Sequence, residues 1–190
     1  MAKCISIIGS SASGKSSVGP LLAAKLNLPI LDIDKVVAER VGKNVDKIFA
    51  EEGTEYFQNK NWEVLSEIFT TRNDSFSLLI IGASPIQNKD IRTLIKLNSS
   101  FIIGLYARPK VLVKRISDSL SVEKHAAHLL LIFEDNFYFS EMLFEFREPF
   151  SYFADEIIDT SELTQRQVCD VAEEITLNFL NNQKNSHVRL

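Results

Sequence analysis

The run Gly9-Ser10-Ser11-Ala12-Ser13-Gly14-Lys15-Ser16 fits G-x-x-x-x-G-K-S/T with no position missing. Lys3-Cys4-Ile5-Ser6-Ile7-Ile8 before it is short and mainly apolar, and Val18, Leu21, Leu22 and Leu26 after it recur at helical spacing. Strand, tight loop and helix form the setting in which this motif carries its chemistry. Small residues let backbone N–H groups turn inward onto phosphate oxygens, and the helix behind adds its own free N–H groups and positive dipole end. Lys15 is placed to reach β- and γ-phosphates, and the Ser16 hydroxyl to ligate Mg²⁺. Gly9, Ser11, Ala12, Ser13, Gly14, Lys15, Ser16 and Ser17 are therefore read as a nucleotide phosphate site.

The remaining chain must build a sheet around that loop. At 190 residues it is read as one domain, 1–190, large enough to bury a core. A net charge of −4 argues against holding nucleic acid on a broad basic surface. Cys4 and Cys169 lie far apart without metal spacing, and the expectation is two reduced thiols in a cytoplasmic protein. No apolar run approaches the roughly 18 residues of a membrane span, so no membrane association is expected.

Strands are expected at Lys3–Ile8, Ile30–Leu31, Ser77–Ile81, Phe101–Tyr106 and Ile157–Asp159. Helices are expected at Lys15–Leu26, Val36–Arg40, Val45–Glu51, Thr54–Thr71, Asn88–Leu97, Lys110–Ser117 and Gln165–Leu180, with Pro20 sitting awkwardly in the first. Gly82-Ala83-Ser84-Pro85 is read as a strand-ending turn, and residues 181–190 as a polar, frayed tail. Continuous rather than alternating apolar strands, separated by helices, predict an α/β fold: a parallel sheet with helices on both faces.

With these elements in place the chain resembles shikimate kinase, a small P-loop kinase of the nucleoside-monophosphate-kinase type. The resemblance runs from the phosphate loop through Val18-Gly19-x-x-Leu22-Ala23, Asp32-x-Asp34, Ile48-Phe49 and Gly53-x-x-x-Phe57. It continues in Ala107-x-Pro109-x-Val111-Leu112-x-x-Arg115-Ile116, Arg147-x-Pro149 and Ala154-Asp155-x-x-Ile158-Asp159-Thr160-Ser161. It implies a three-layer P-loop kinase fold, a five-stranded sheet in order 2-3-1-4-5, an ATP site with Mg²⁺, acceptor-binding helices over about 33–62 and a mobile lid over about 117–146. Asp32 would hold Mg²⁺ through water, and Asp34 would bind the acceptor hydroxyl and assist its deprotonation; on local pattern alone an Asp here also suits a helix N-cap. Gly82 would approach acceptor and γ-phosphate. Arg115 would stack on adenine, or else be a solvated helix cation. Arg147 would pair with the acceptor carboxylate.

The pattern breaks in the acceptor site and the lid. Where the family has Arg, Glu and a triple glycine, this chain has Gln58, Asn61 and Gly82-Ala83-Ser84; Ser151 stands where Tyr closes the Arg-x-Pro motif. From Ser117 to Phe146 there are six acids against one lysine (Lys124) and no arginine, so this lid would bring negative charge to a phosphoryl group. His125 and His128 could lend partial charge or bind metal, or be surface decoration. Half of the chain's aromatic residues fall in 129–153, either packing on the sheet or forming a face for a protein partner or self-association. The function expected is ATP-dependent phosphoryl transfer to a small-molecule hydroxyl, with shikimate the leading acceptor. The alternatives are a kinase with another acceptor and a degenerate nucleotide-binding protein with an interaction role.

Overall fold

The computed structural model describes residues 3–71, 76–120 and 153–187. Strands β1 (Cys4–Gly9), β2 (Ile30–Asp32), β3 (Ser77–Ile80), β4 (Phe101–Tyr106) and β5 (Glu156–Asp159) form one parallel sheet in the order β2-β3-β1-β4-β5. The reason the inner strands read as unbroken apolar runs is visible in β1. Cys4 and Ile8 enter the core on one face, and Ile5 and Ile7 enter the core on the other. The edges are thinner: β2 has three residues, and its Ile30 and Leu31 remain exposed.

One face is covered by α1 (Lys15–Leu26) and α7 (Gln165–His187). Val18, Leu22 and Ala23 pack there with Val168, Cys169 and Ala172, and Phe101 stacks on Phe179 with centroids 4.6 Å apart. Lys25 ties the two helices together through Asp170 and Glu173, at 2.7 and 2.5 Å. The opposite core is built from α2 (Ile33–Val41), α3 (Val45–Thr70), α4 (Ala83–Gln87), α5 (Lys89–Asn98) and α6 (Pro109–Leu120). Cys4 and Cys169 are both free and buried, and burial pushes the Cys4 thiol up to about 11. No described helix is long and apolar enough to cross a membrane.

Four local expectations are corrected or refined. First, α2 starts at Ile33 rather than Val36. Second, Gly82-Ala83-Ser84-Pro85 is not a plain turn but opens α4; Pro85 lies in the first turn, where no backbone N–H is needed. Third, α7 continues to His187 instead of ending at Leu180, because no Gly or Pro follows Gln165 to stop it. Residues 181–187 are therefore helical. Fourth, Pro20 sits inside α1 without ending it; its neighbours Val18, Leu22 and Ala23 are buried, and their packing outweighs the missing bond. The expected break between two helices appears at Gly53, whose backbone (φ 85°, ψ 174°) interrupts α3.

Adjacent leucines of α1 separate packing from propensity. Leu22 is 0% exposed and Leu21 is 46% exposed. Leu22→Ala should lower unfolding free energy by about 2–5 kcal/mol in urea titration, and Leu21→Ala by less than about 1 kcal/mol.

Candidate active site

The parallel order brings three strand ends together. β1 runs out at Gly9, β2 at Asp32 beside Ile80, and β3 continues through Ile81 to Gly82. Open parallel sheets leave their ligand crevice at this carboxyl edge. The loop from Gly9 to Lys15 turns through two left-handed residues, Ala12 (φ 58°) and Gly14 (φ 107°). Gly14 is the N-cap of α1, and no side chain caps that end, so the N–H groups of Lys15 and Ser16 are left for an anion, while Ser17 N–H donates to Gly14 O at 3.1 Å. The Lys15 ammonium is buried and donates to the carbonyl oxygens of Gly9 and Ser10, 2.8 Å each. Burial pulls it down to about 8, while Asp34 and then Asp32 act in the opposite sense.

Asp34 lies opposite. Its Oδ1 is buried without a partner among the described residues, and burial pushes the carboxyl up to about 6 against the pull of Lys15. Gly82 makes that position accessible: a Cβ there would fall 2.2 Å from Asp34 Oδ2. Neither acid serves α2 as a cap. Asp32 occupies the N-cap position but makes no side-chain capping bond, and Asp34 is inside the first turn. Ser16 and Asp32 offer hard oxygen donors that suit Mg²⁺. Among the described residues no group of three or more His, Cys, Asp or Glu could cage a metal alone. That donor set fits an ion that arrives with nucleotide phosphates.

On the other side of the loop a cleft of about 650 Å³ is lined by Ser11–Val18 and by Arg115, Thr160, Leu163, Thr164 and Gln165. Arg115 is no solvated cation: it donates to Ala12 O (3.3 Å), Thr160 Oγ1 (3.0 Å) and Thr160 O (2.6 Å). The sequence reading missed Thr160, Leu163, Thr164 and Gln165 as site residues. A signal was present in Thr164-x-x-Gln167, a capping box that starts α7: Thr164 N donates to Gln167 Oε1 (2.9 Å) and Gln167 N to Thr164 Oγ1 (3.3 Å).

Gln58 and Asn61 also have defined places. Gln58 Nε2 donates to Ser84 O at 2.9 Å, tying α3 to the helix that follows Gly82. Asn61 is buried; its Nδ2 donates to Phe57 O, and its Oδ1 finds no partner among the described residues. Arg147, the acid-rich lid beyond residue 120 and the aromatic segment up to residue 152 lie outside the described residues. Of the lid-like stretch, 117–120 continue α6; Phe153 is buried in the core.

A phosphate loop on a sheet of this order, with acids at the end of the strand two places away, has the fold of the P-loop kinases of the nucleoside-monophosphate-kinase type. The chain belongs to the shikimate kinase family, whose model matches residues 11–178. It is 34% identical over 173 residues to the shikimate kinase of Caldanaerobacter subterraneus subsp. tengcongensis, covering 91% of this chain and 94% of that one. Identity to the shikimate kinase of Chlorobium phaeobacteroides (strain BS1) is 37% over 113 residues, or 60% of this chain; the match spans about half of that relative, 55%. The same holds for the Chlorobium limicola enzyme, at 36% over 112 residues, 59% of this chain and 54% of the relative. The structure of shikimate kinase from Acinetobacter baumannii in complex with shikimate superposes with a TM-score of 0.76 at 24% identity, over 96% of this chain and 95% of that one. Deoxyadenosine kinase from M. mycoides with bound dATP superposes at 0.60 and 19% identity, over 94% and 99%. These two structural likenesses are of fold.

The buried acid gives a stability test. A folded value near 6 against an ordinary 3.8 means the folded chain keeps a proton that the unfolded chain releases between about pH 4 and 6. Stability from this group is present at low pH and lost as pH rises through 6. Asp34→Asn should therefore raise the unfolding free energy at pH 7.5 by about 1–3 kcal/mol and leave it nearly unchanged at pH 4, as read by denaturant titration at both pH values. Gly82→Ala should leave the fold intact and displace the Asp34 carboxylate, lowering kcat at least about 10²-fold in a steady-state assay.

Proposed function

We propose that this protein transfers the γ-phosphoryl group of ATP to a hydroxyl of a small molecule, with shikimate as the acceptor. The observation that supports it most is the pairing of a buried, loop-bound Lys15 with a buried Asp34 whose free oxygen meets bare backbone at Gly82. In this reading the backbone of Gly9 to Ser17 holds the phosphates, and Lys15 neutralises charge on the transferred group. Ser16 and Asp32 would hold Mg²⁺, which supplies further charge neutralisation between the phosphates when bound. Asp34 orients the acceptor hydroxyl and takes its proton; Gly82 lets the acceptor approach. Arg147 pairs with the acceptor carboxylate, and Arg115, its N–H edge engaged, offers its face to the base. The compartment in this reading is the cytoplasm.

Asp34 at about 6 and Lys15 at about 8 put both groups in working form near neutrality. Protonated Asp34 cannot accept a proton, and deprotonated Lys15 cannot neutralise phosphate. The kcat/KM profile should therefore be bell-shaped, falling below about pH 6 and above about pH 8, and Asp34→Asn should lose activity together with the acid limb. Shikimate-dependent ADP release in a coupled assay is the direct test, with Lys15→Ala as the inactive control.

A second reading is a nucleotide-binding protein with little or no turnover of shikimate, in which the aromatic 129–153 segment serves a protein partner or self-association. One observation favours it: Gln58, which replaces a cationic carboxylate partner, is engaged with Ser84 O. A hydrogen bond to a charged group is worth roughly 1.5–3 kcal/mol, so Gln58→Arg should improve kcat/KM for shikimate about 10–150-fold, mostly through KM. Wild-type turnover at ordinary kinase rates would refute this account of Gln58. No gain from Gln58→Arg would point to another acceptor or none.

A further inference from the structure

Thr160 is one of the few buried polar residues among those described, only 1% exposed, and it stands one residue beyond the end of β5. Its position is fixed by the sheet, since its N–H donates to Tyr106 O at 2.7 Å and extends the β4–β5 ladder by one rung. A hydroxyl has one proton to give and lone pairs to share, and this one is used both ways. Oγ1 donates to Ser13 O at 3.2 Å and accepts from Arg115 Nη1 at 3.0 Å. Arg115 Nη2 then donates to the Thr160 carbonyl at 2.6 Å, and its Nη1 also reaches Ala12 O at 3.3 Å.

Carbonyls of two consecutive phosphate-loop residues are thus held from outside the loop, one by Thr160 and one by Arg115. A trans peptide is planar, and its C=O and N–H point in opposite directions. Holding Ser13 C=O outward on Thr160 therefore turns Gly14 N–H the other way, toward the side where an anion would lie. The same contacts fix the Arg115 plane, because its N–H edge is engaged by three oxygens while the residue lines the cleft. One side chain at the end of β5 sets both the phosphate cradle and the arginine wall beside it.

We infer that Thr160 is a positioning residue for the nucleotide, acting through the Ser13 peptide and Arg115 rather than by touching the reacting atoms. This rests on the reading of the loop as a nucleotide site. Thr160→Val keeps the shape and removes the hydroxyl; Thr160→Ser keeps the hydroxyl. Calorimetric binding of ADP·Mg²⁺ and steady-state kinetics on the full chain give the comparison. Thr160→Val should weaken ADP binding and raise the ATP KM about 10-fold or more, with kcat and acceptor KM within about twofold of wild type. Thr160→Ser should stay within about threefold on every parameter. Wild type that binds while Thr160→Val binds equally well overturns the inference and leaves the kinase reading standing. So does Thr160→Ser failing as badly as Thr160→Val, or a uniform loss across ATP KM, acceptor KM and kcat. Wild type that binds no ADP overturns the kinase reading and this inference with it.

Discussion

The Lys15 ammonium rests on the carbonyl oxygens of Gly9 and Ser10, inside the loop it belongs to. A buried ammonium is tolerated only where oxygen atoms replace its water. The loop must therefore turn some carbonyls toward Lys15 while others face Thr160 and Arg115 on its outer side. With its carbonyls so engaged, N–H groups remain for the concave face. The loop can hold that arrangement because β1 is buried along its whole length and α1 packs directly behind it. Both depend on the parallel sheet, and so does the placing of Asp34. β2 must lie in register with β3 for the acid to meet Gly82.

Two opposed electrostatic demands meet in this crevice. Burial disfavours both the carboxylate of Asp34 and the ammonium of Lys15, and each partly compensates the other. The outcome is an acid raised toward 6 and a base lowered toward 8 within one crevice. The folded chain carries that cost, which is the usual relation between a strained site and its function.

The phosphate-loop side and the α3–α4 side of the crevice differ in kind. The first keeps every position of the phosphate loop and braces it from β5. The second carries Gln58, Asn61, Ala83 and Ser84, none of them charged. Gln58 and Asn61 now bond backbone carbonyls, so α3 is anchored to α4 and to itself. The loop and the wall formed by α3 and α4 come from different elements.

What the sequence determined by itself is what local pattern encodes. Eight consecutive residues specify the loop, unbroken apolar runs specify buried parallel strands, and Gly53 specifies a break between two helices. Asp32 and Asp34 were legible as a pair because they follow a strand directly. Tertiary structure decided the rest. Whether Asp34 caps a helix or faces Lys15 depends on where α2 begins and how deep the carboxylate sinks. Gln58 takes Ser84 O, and Thr160 takes Ser13 and Arg115, across separations of 26, 147 and 45 residues. Such partners are set by the register of strands and the packing of helices on them. Burial and long-range approach, the two quantities that shift a pKa or aim a hydroxyl, exist only once the sheet has closed around the loop.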